Sequence, residues 1–203
     1  ALLLVIDKSG SMADDAGATR LEMAKEAACR AVEVLTERDQ VGVIAFDDAS
    51  KWVVELQSVT DVAAIQSAIG TIRAGGGTSF YSPLRDAYSA LSRAEAQLKH
   101  IIFLTDGASS DSGYEQIIAM MAEKGITFTS VAIGDAANRQ CLNTYERLLR
   151  ELPDPDARLR IEHAQIIAPE DIPRFKKLGV IPTHQTVFLR TDKKVADTRL
   201  GPQ

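Results

Sequence analysis

Cysteine is scarce. Cys29 and Cys141 are the only two in 203 residues, both fall inside helical patterns, and no C-x-x-C accompanies them, so neither a disulfide framework nor a zinc framework is implied. Long apolar runs are missing as well. The longest stretch, residues 1–6, is far short of the ~20 residues of a membrane span. No basic region precedes it and no cleavage site follows it, so it does not read as a signal peptide. There is no internal repeat and no low-complexity tract. Basic charge is in deficit, with 23 Lys and Arg against 28 Asp and Glu and a net charge of −5. That balance argues against nucleic acid as a partner and is compatible with binding a cation.

What remains is ordinary globular composition, 45% hydrophobic and 25% charged, which excludes disorder. At about 150 residues per domain the length implies one domain with a possible appendage. The charge is not evenly spread. Residues 1–130 carry a balance of −7 and residues 131–203 a balance of +2, which divides the chain into two compositional halves.

Short β-type runs alternate with longer helical ones. Leu2–Ile6, Val41–Phe46, His100–Thr105 and Thr127–Ile133 are continuous apolar runs that predict buried strands. Lys51–Leu56 follows its predecessor after only four residues, too few for a helical crossover, and should pair antiparallel. Thr19 and Glu22 form a capping-box pattern ahead of a helix through Leu35. Further helices are predicted through Val62–Ile72, from Ser82–Pro83 to Leu98, from Tyr114 to a stop at Gly125, and over Asn138–Leu152. A polar link at 154–157, a strand over Arg158–Ala164, a short helix opened by Pro169 and closed by Gly179, a partly extended Val180–Arg190 and a frayed basic end complete the reading. Strands separated by helices of 10–16 residues imply βαβ units. The expected fold is therefore α/β, a doubly wound and mostly parallel sheet in a three-layer sandwich. A closed eight-stranded barrel would need more chain, since ~200 residues is its lower limit.

In open α/β sheets ligands collect at the carboxyl ends of strands. Those ends carry Asp7, Ser9 and Ser11 after the first strand and Asp106 after the His100–Thr105 strand, and the glycine-rich turn at 75–77 adds Thr78. All five offer oxygen, which suits Mg²⁺, Mn²⁺ or Ca²⁺ better than Zn²⁺ or Cu²⁺. Two carboxylates only balance a dication, so such an ion stays a strong Lewis acid. The glycines form no phosphate loop, since G-x-x-x-x-G-K is absent. Asp47 and Asp48 read as a solvated turn.

Asp7-Lys8-Ser9-Gly10-Ser11, Gly77-Thr78 and Thr105-Asp106-Gly107 resemble the metal-ion-dependent adhesion site of von Willebrand factor A-type domains, over about residues 1–135. The resemblance implies that Ser9, Ser11 and Thr78 coordinate a Mg²⁺-type ion, with Asp7 and Asp106 acting directly or through water. It also implies a non-enzymatic, adhesion-type module that recognises an Asp or Glu of a protein partner.

The rest of the chain is similar to something else. Ala132–Arg139, Arg160–Gln165 and Pro169–Gln185 resemble part of the (β/α)₈ barrel of metal-dependent amidohydrolases, in a match that ends near Arg199–Pro202. His163 matches a ligand position there, but the histidine expected on the preceding strand is Val131, and the first half of the barrel is missing. One imidazole cannot make a hydrolytic metal site. His100 and His184 are unsupported, and with no G-x-S-x-G no nucleophilic triad is indicated. The expectation is thus an A-type domain whose last strand and helix come from an amidohydrolase-like segment, 136–203, with the charged Arg158–Ala164 strand at the sheet edge. An amidohydrolase completed by a partner chain and a foldable chimera without a selected function are the alternatives.

Overall fold

Four apolar runs form the centre of the sheet in the computed structural model, which describes residues 1–13, 19–106, 109, 113–132, 135–151, 159–162, 164 and 167–183. They are β1 (Leu2–Asp7), β2 (Gln40–Phe46), β4 (Lys99–Thr105) and β5 (Ile126–Ala132). With β3 (Ser50–Ser58), β6 (Arg160–Glu162) and β7 (Ile181–Thr183) they make a seven-stranded sheet of order β3-β2-β1-β4-β5-β6-β7. Every pairing is parallel except β2 with β3, which is antiparallel. This is the expected doubly wound α/β architecture.

Central strands buried on both faces need no alternation of polar residues, and β1 has none before its last residue. Leu4 and Ile6 pack with α1 (Arg20–Glu33) and α2 (Val62–Gly70). Leu3 and Val5 point into the opposite layer, with α3 (Tyr81–Arg93) and α4 (Tyr114–Glu123). α5 (Asp135–Glu151) lies against α4 and β5, and α6 (Ile172–Leu178) packs on α5. Cys141, Leu142 and Tyr145 of α5 form a third cluster with Ile161, Phe175 and Val180. Burial pushes the Cys141 thiol up to about 11, so it is an inert core group.

Several local expectations shift. Ser82 and Pro83 are not the N-cap and first residue of α3, because Phe80 occupies the cap position and makes no side-chain cap bond. Phe80 is buried against Phe46 and Phe103, with ring centroids 5.8 and 5.1 Å away, and that packing sets the helix start. Pro83 falls in the first turn, where its missing N–H costs nothing. The helix stops at Arg93, Ala94 is extended, and Leu98 is 82% exposed. α6 starts at Ile172 rather than at Pro169. β6 is only three residues long and is not the edge, because β7 pairs outside it. Pro182, which has no N–H to donate, suits that edge. The polar link at 154–157, His163, His184 and the basic end lie outside the described residues.

Candidate metal centre

The site is built where three loops leave the carboxyl ends of the sheet. β1 ends in Asp7, whose carboxylate is fully buried. Oδ1 accepts the Ser9 N–H at 2.8 Å and Oδ2 accepts the Thr105 hydroxyl at 2.6 Å, so the last residue of β4 helps hold the last residue of β1. The chain then enters a 3₁₀ turn, Gly10–Ala13, anchored by Met12 in the core. That anchor leaves Ser11 exposed at the surface. Ser9 Oγ and Ser11 Oγ lie 3.2 Å apart, and Ser11 Oγ donates to Asp106 Oδ1 at 3.0 Å. Asp7, Ser9, Ser11 and Asp106 are therefore one hydrogen-bonded group.

Thr78 is placed by backbone. The Gly10 N–H donates to Gly76 O at 3.0 Å and the Gly75 N–H to Lys8 O at 2.7 Å, so the 75–79 segment is stitched to the β1 loop. Ser109 Oγ donates to Thr78 O at 3.3 Å and ties it to the third loop. Gly107 lies outside the described residues.

Sequence reasoning passed over the residues that brace this group. Asp47 and Asp48 lie in the expected exposed turn, but their carboxylates reach back to the site's loops. Asp47 pairs with Lys8, and Asp48 Oδ2 accepts the Gly77 N–H at 2.8 Å. Gly76 has φ +86°, and a Cβ there would come within 2.8 Å of Asp47, so this position needs glycine twice over. Arg20, the first residue of α1, donates to Asp106 Oδ2 at 2.6 Å and to Ser11 O at 3.2 Å. These partners lie 39 and 86 residues apart in the chain, beyond the reach of any local pattern.

Burial pushes the Asp7 carboxyl above its ordinary value. Hydrogen bonds from Thr105 and Ser9 oppose that shift, and the Asp106 charge adds to it. Asp47 goes the other way, because the Lys8 ammonium and the Ala49 N–H outweigh its own burial. His100 is remote from the site, at the amino end of β4, with Nδ1 2.6 Å from Thr127 Oγ1; burial lowers its pKa and the Arg160 charge adds to this.

The candidate donors are two carboxylates and three hydroxyls, of which the Thr78 hydroxyl stands outside the hydrogen-bonded group. Among the described residues no three His, Cys, Asp or Glu side chains come together. This composition fits a hard, oxygen-loving dication and does not fit zinc of the hydrolytic type.

The sequence profile of the von Willebrand factor type A domain matches residues 1–147. The chain belongs to that family. An uncharacterized protein of Synechocystis, sll0103, is 34% identical over 145 residues, which are 70% of this chain and 34% of that protein. The chain spans about a third of that relative's length. Among solved structures, BatB from Bacteroides thetaiotaomicron superposes with TM-score 0.61 at 19% identity over 98% of both chains. Proximal thread matrix protein 1 from the mussel byssus, with a zinc-occupied metal-ion-dependent adhesion site, gives TM-score 0.59 at 17% identity over 96% of this chain and 46% of that one. These structures share the fold. Homologues in the family are adhesion or protein-interaction modules, some with such a metal site. No helix among the described residues is long and apolar enough to cross a membrane.

Proposed function

We propose that this chain is a divalent-metal-dependent protein-binding module. In this reading Asp7, Ser9, Ser11, Thr78 and Asp106 hold one Mg²⁺-type ion, with Mn²⁺ or Ca²⁺ as substitutes. The observation that carries it is the single hydrogen-bonded group made by Asp7, Ser9, Ser11 and Asp106 at the carboxyl ends of β1 and β4. The zinc-occupied site of the mussel relative supports a metal at the corresponding place. A dication bound there supplies a Lewis-acidic centre that accepts a carboxylate oxygen from an Asp or Glu of a partner protein.

The chain's own residues prepare for that event. Ser9, Ser11 and Thr78 contribute no charge, and the two carboxylates only neutralise a dication, so attraction for an incoming anion is retained. Thr105 and the Ser9 N–H fix the rotamer of Asp7, and Met12 fixes the turn that presents Ser11.

In the same reading the amidohydrolase-like segment, 136–203, begins inside the stretch that the von Willebrand factor A profile matches, and its strands β6 and β7 finish the sheet without bringing catalysis. Its support is ionic and apolar packing. Asp171 is bound by Arg139 at 2.6 Å and by Arg174 at 2.9 Å, and Arg174 also reaches Glu146 at 2.9 Å. Tyr145 donates from α5 to Arg160 O of β6 at 3.0 Å.

Thermal melts with and without Mg²⁺ test the reading. A ligand at about 100 times its Kd stabilises by about 2.7 kcal/mol, a rise of about 5–10 °C in Tm for a chain of this size. Asp7→Ala and Asp106→Ala should stay folded and lose that rise. A wild-type Tm indifferent to Mg²⁺ and Mn²⁺ overturns the proposal.

A further inference from the structure

Arg20 stands where a cation is unwelcome. It is the first residue of α1, and the positive end of the helix dipole disfavours a guanidinium there. Its side chain nonetheless turns toward the site rather than away from it. Nη1 reaches both Asp106 Oδ2 and Ser11 O, at 2.6 and 3.2 Å, bridging the loops that follow β4 and β1. Both Asp106 oxygens are engaged as a result, Oδ1 by the Ser11 hydroxyl and Oδ2 by Arg20. The Asp106 side chain is 1% exposed, whereas Arg20 is 40% exposed. Lys8, the other basic residue of the β1 loop, is paired with Asp47.

Resting on the metal-site reading above, we propose that Arg20 is a competing internal cation, which closes the centre when paired with Asp106 and opens it when released to solvent. With Arg20 in place the two carboxylates and the guanidinium sum to −1; with Arg20 swung out they present −2, the charge that matches a dication. Arg20 lowers the apparent affinity by the fraction of time that Asp106 is free. An ion pair formed nine-tenths of the time weakens binding about tenfold. Metal uptake is thereby coupled to the release of a guanidinium beside the face where a partner's acid would dock.

Arg20→Gln tests this. The variant keeps the Thr19–Glu22 capping box of α1 and relieves the unfavourable charge at the helix start, so it should fold. Calorimetric titration with Mn²⁺ should show about tenfold tighter binding than wild type. Melts should show a lower Tm than wild type in EDTA, where Asp106 has lost its counter-charge, and equal Tm values in saturating Mg²⁺. Unchanged or weaker Mn²⁺ binding, or an equal Tm loss with and without Mg²⁺, overturns it and assigns Arg20 a structural role. If neither protein binds Mn²⁺, the metal-site reading falls, and this inference with it.

Discussion

Asp7 is fully buried and carries its pKa above the usual carboxylate value because desolvation outweighs its two hydrogen bonds. A buried acid of this kind weakens the fold unless a cation compensates it. Replacing it with the neutral isostere separates the two effects. Asp7→Asn should be as stable as wild type in EDTA, or more stable by about 1 kcal/mol, and show no response to Mg²⁺. Melts of both proteins in both conditions check this. Gly76 makes a second claim at the same scale. Its left-handed backbone and the Asp47 side chain 2.8 Å from a hypothetical Cβ predict that Gly76→Ala costs about 1–3 kcal/mol, read as a Tm lower by about 2–12 °C. Asp7, Ser9, Ser11 and Asp106 were legible because each closely follows an apolar run whose direction fixes which end of the sheet it reaches. Lys8–Asp47, Asp48–Gly77 and Arg20–Asp106 were not, because pairs so far apart in sequence leave no periodic trace.

At the scale of elements, the strands were legible and the helix starts less so. A buried run such as Leu2–Ile6 has few alternatives. Ser82–Pro83 looks like a helix opening, but burying the Phe80 ring against Phe46 and Phe103 settles the start instead. β7 falls within the partly extended Val180–Arg190 but is only three residues long, with a proline at its centre. What holds it is its pairing with β6, and the α6 that precedes it is clamped to α5 through Asp171. Burial alone would raise the Asp171 pKa, but hydrogen bonds from Arg174 and Arg139 outweigh it and hold the carboxyl below 3.8. The ionised form therefore favours the folded state. Its contribution is present above pH 3.8 and is lost as pH falls through the lower folded value. Asp171→Asn should cost about 2 kcal/mol at neutral pH and flatten the stability profile in that acid window, both measurable by urea unfolding across pH.

For the whole molecule, the acidic first part holds the candidate cation site and the basic surplus falls in the part of the chain after β5, which carries α5, β6, α6 and β7. That sheet extension is part of the core rather than an ornament. Ending the chain after Glu151 would remove Ile161, Phe175 and Val180, uncover Cys141, Leu142 and Tyr145, and expose the edge of β5. At about 2 kcal/mol for each lost core side chain the deficit is about 6 kcal/mol. The expected result is a Tm lower by more than about 10 °C, with self-association seen by size-exclusion chromatography.

The central claim is that five oxygen-bearing residues from three loops form one divalent-metal site. Electron paramagnetic resonance of free Mn²⁺, titrated with the chain, tests it most directly. The account predicts one Mn²⁺ bound per wild-type chain, displaced by Mg²⁺, and none bound by Asp7→Ala or Asp106→Ala. A wild-type chain that leaves all the Mn²⁺ free, or variants that bind it as wild type does, would contradict it.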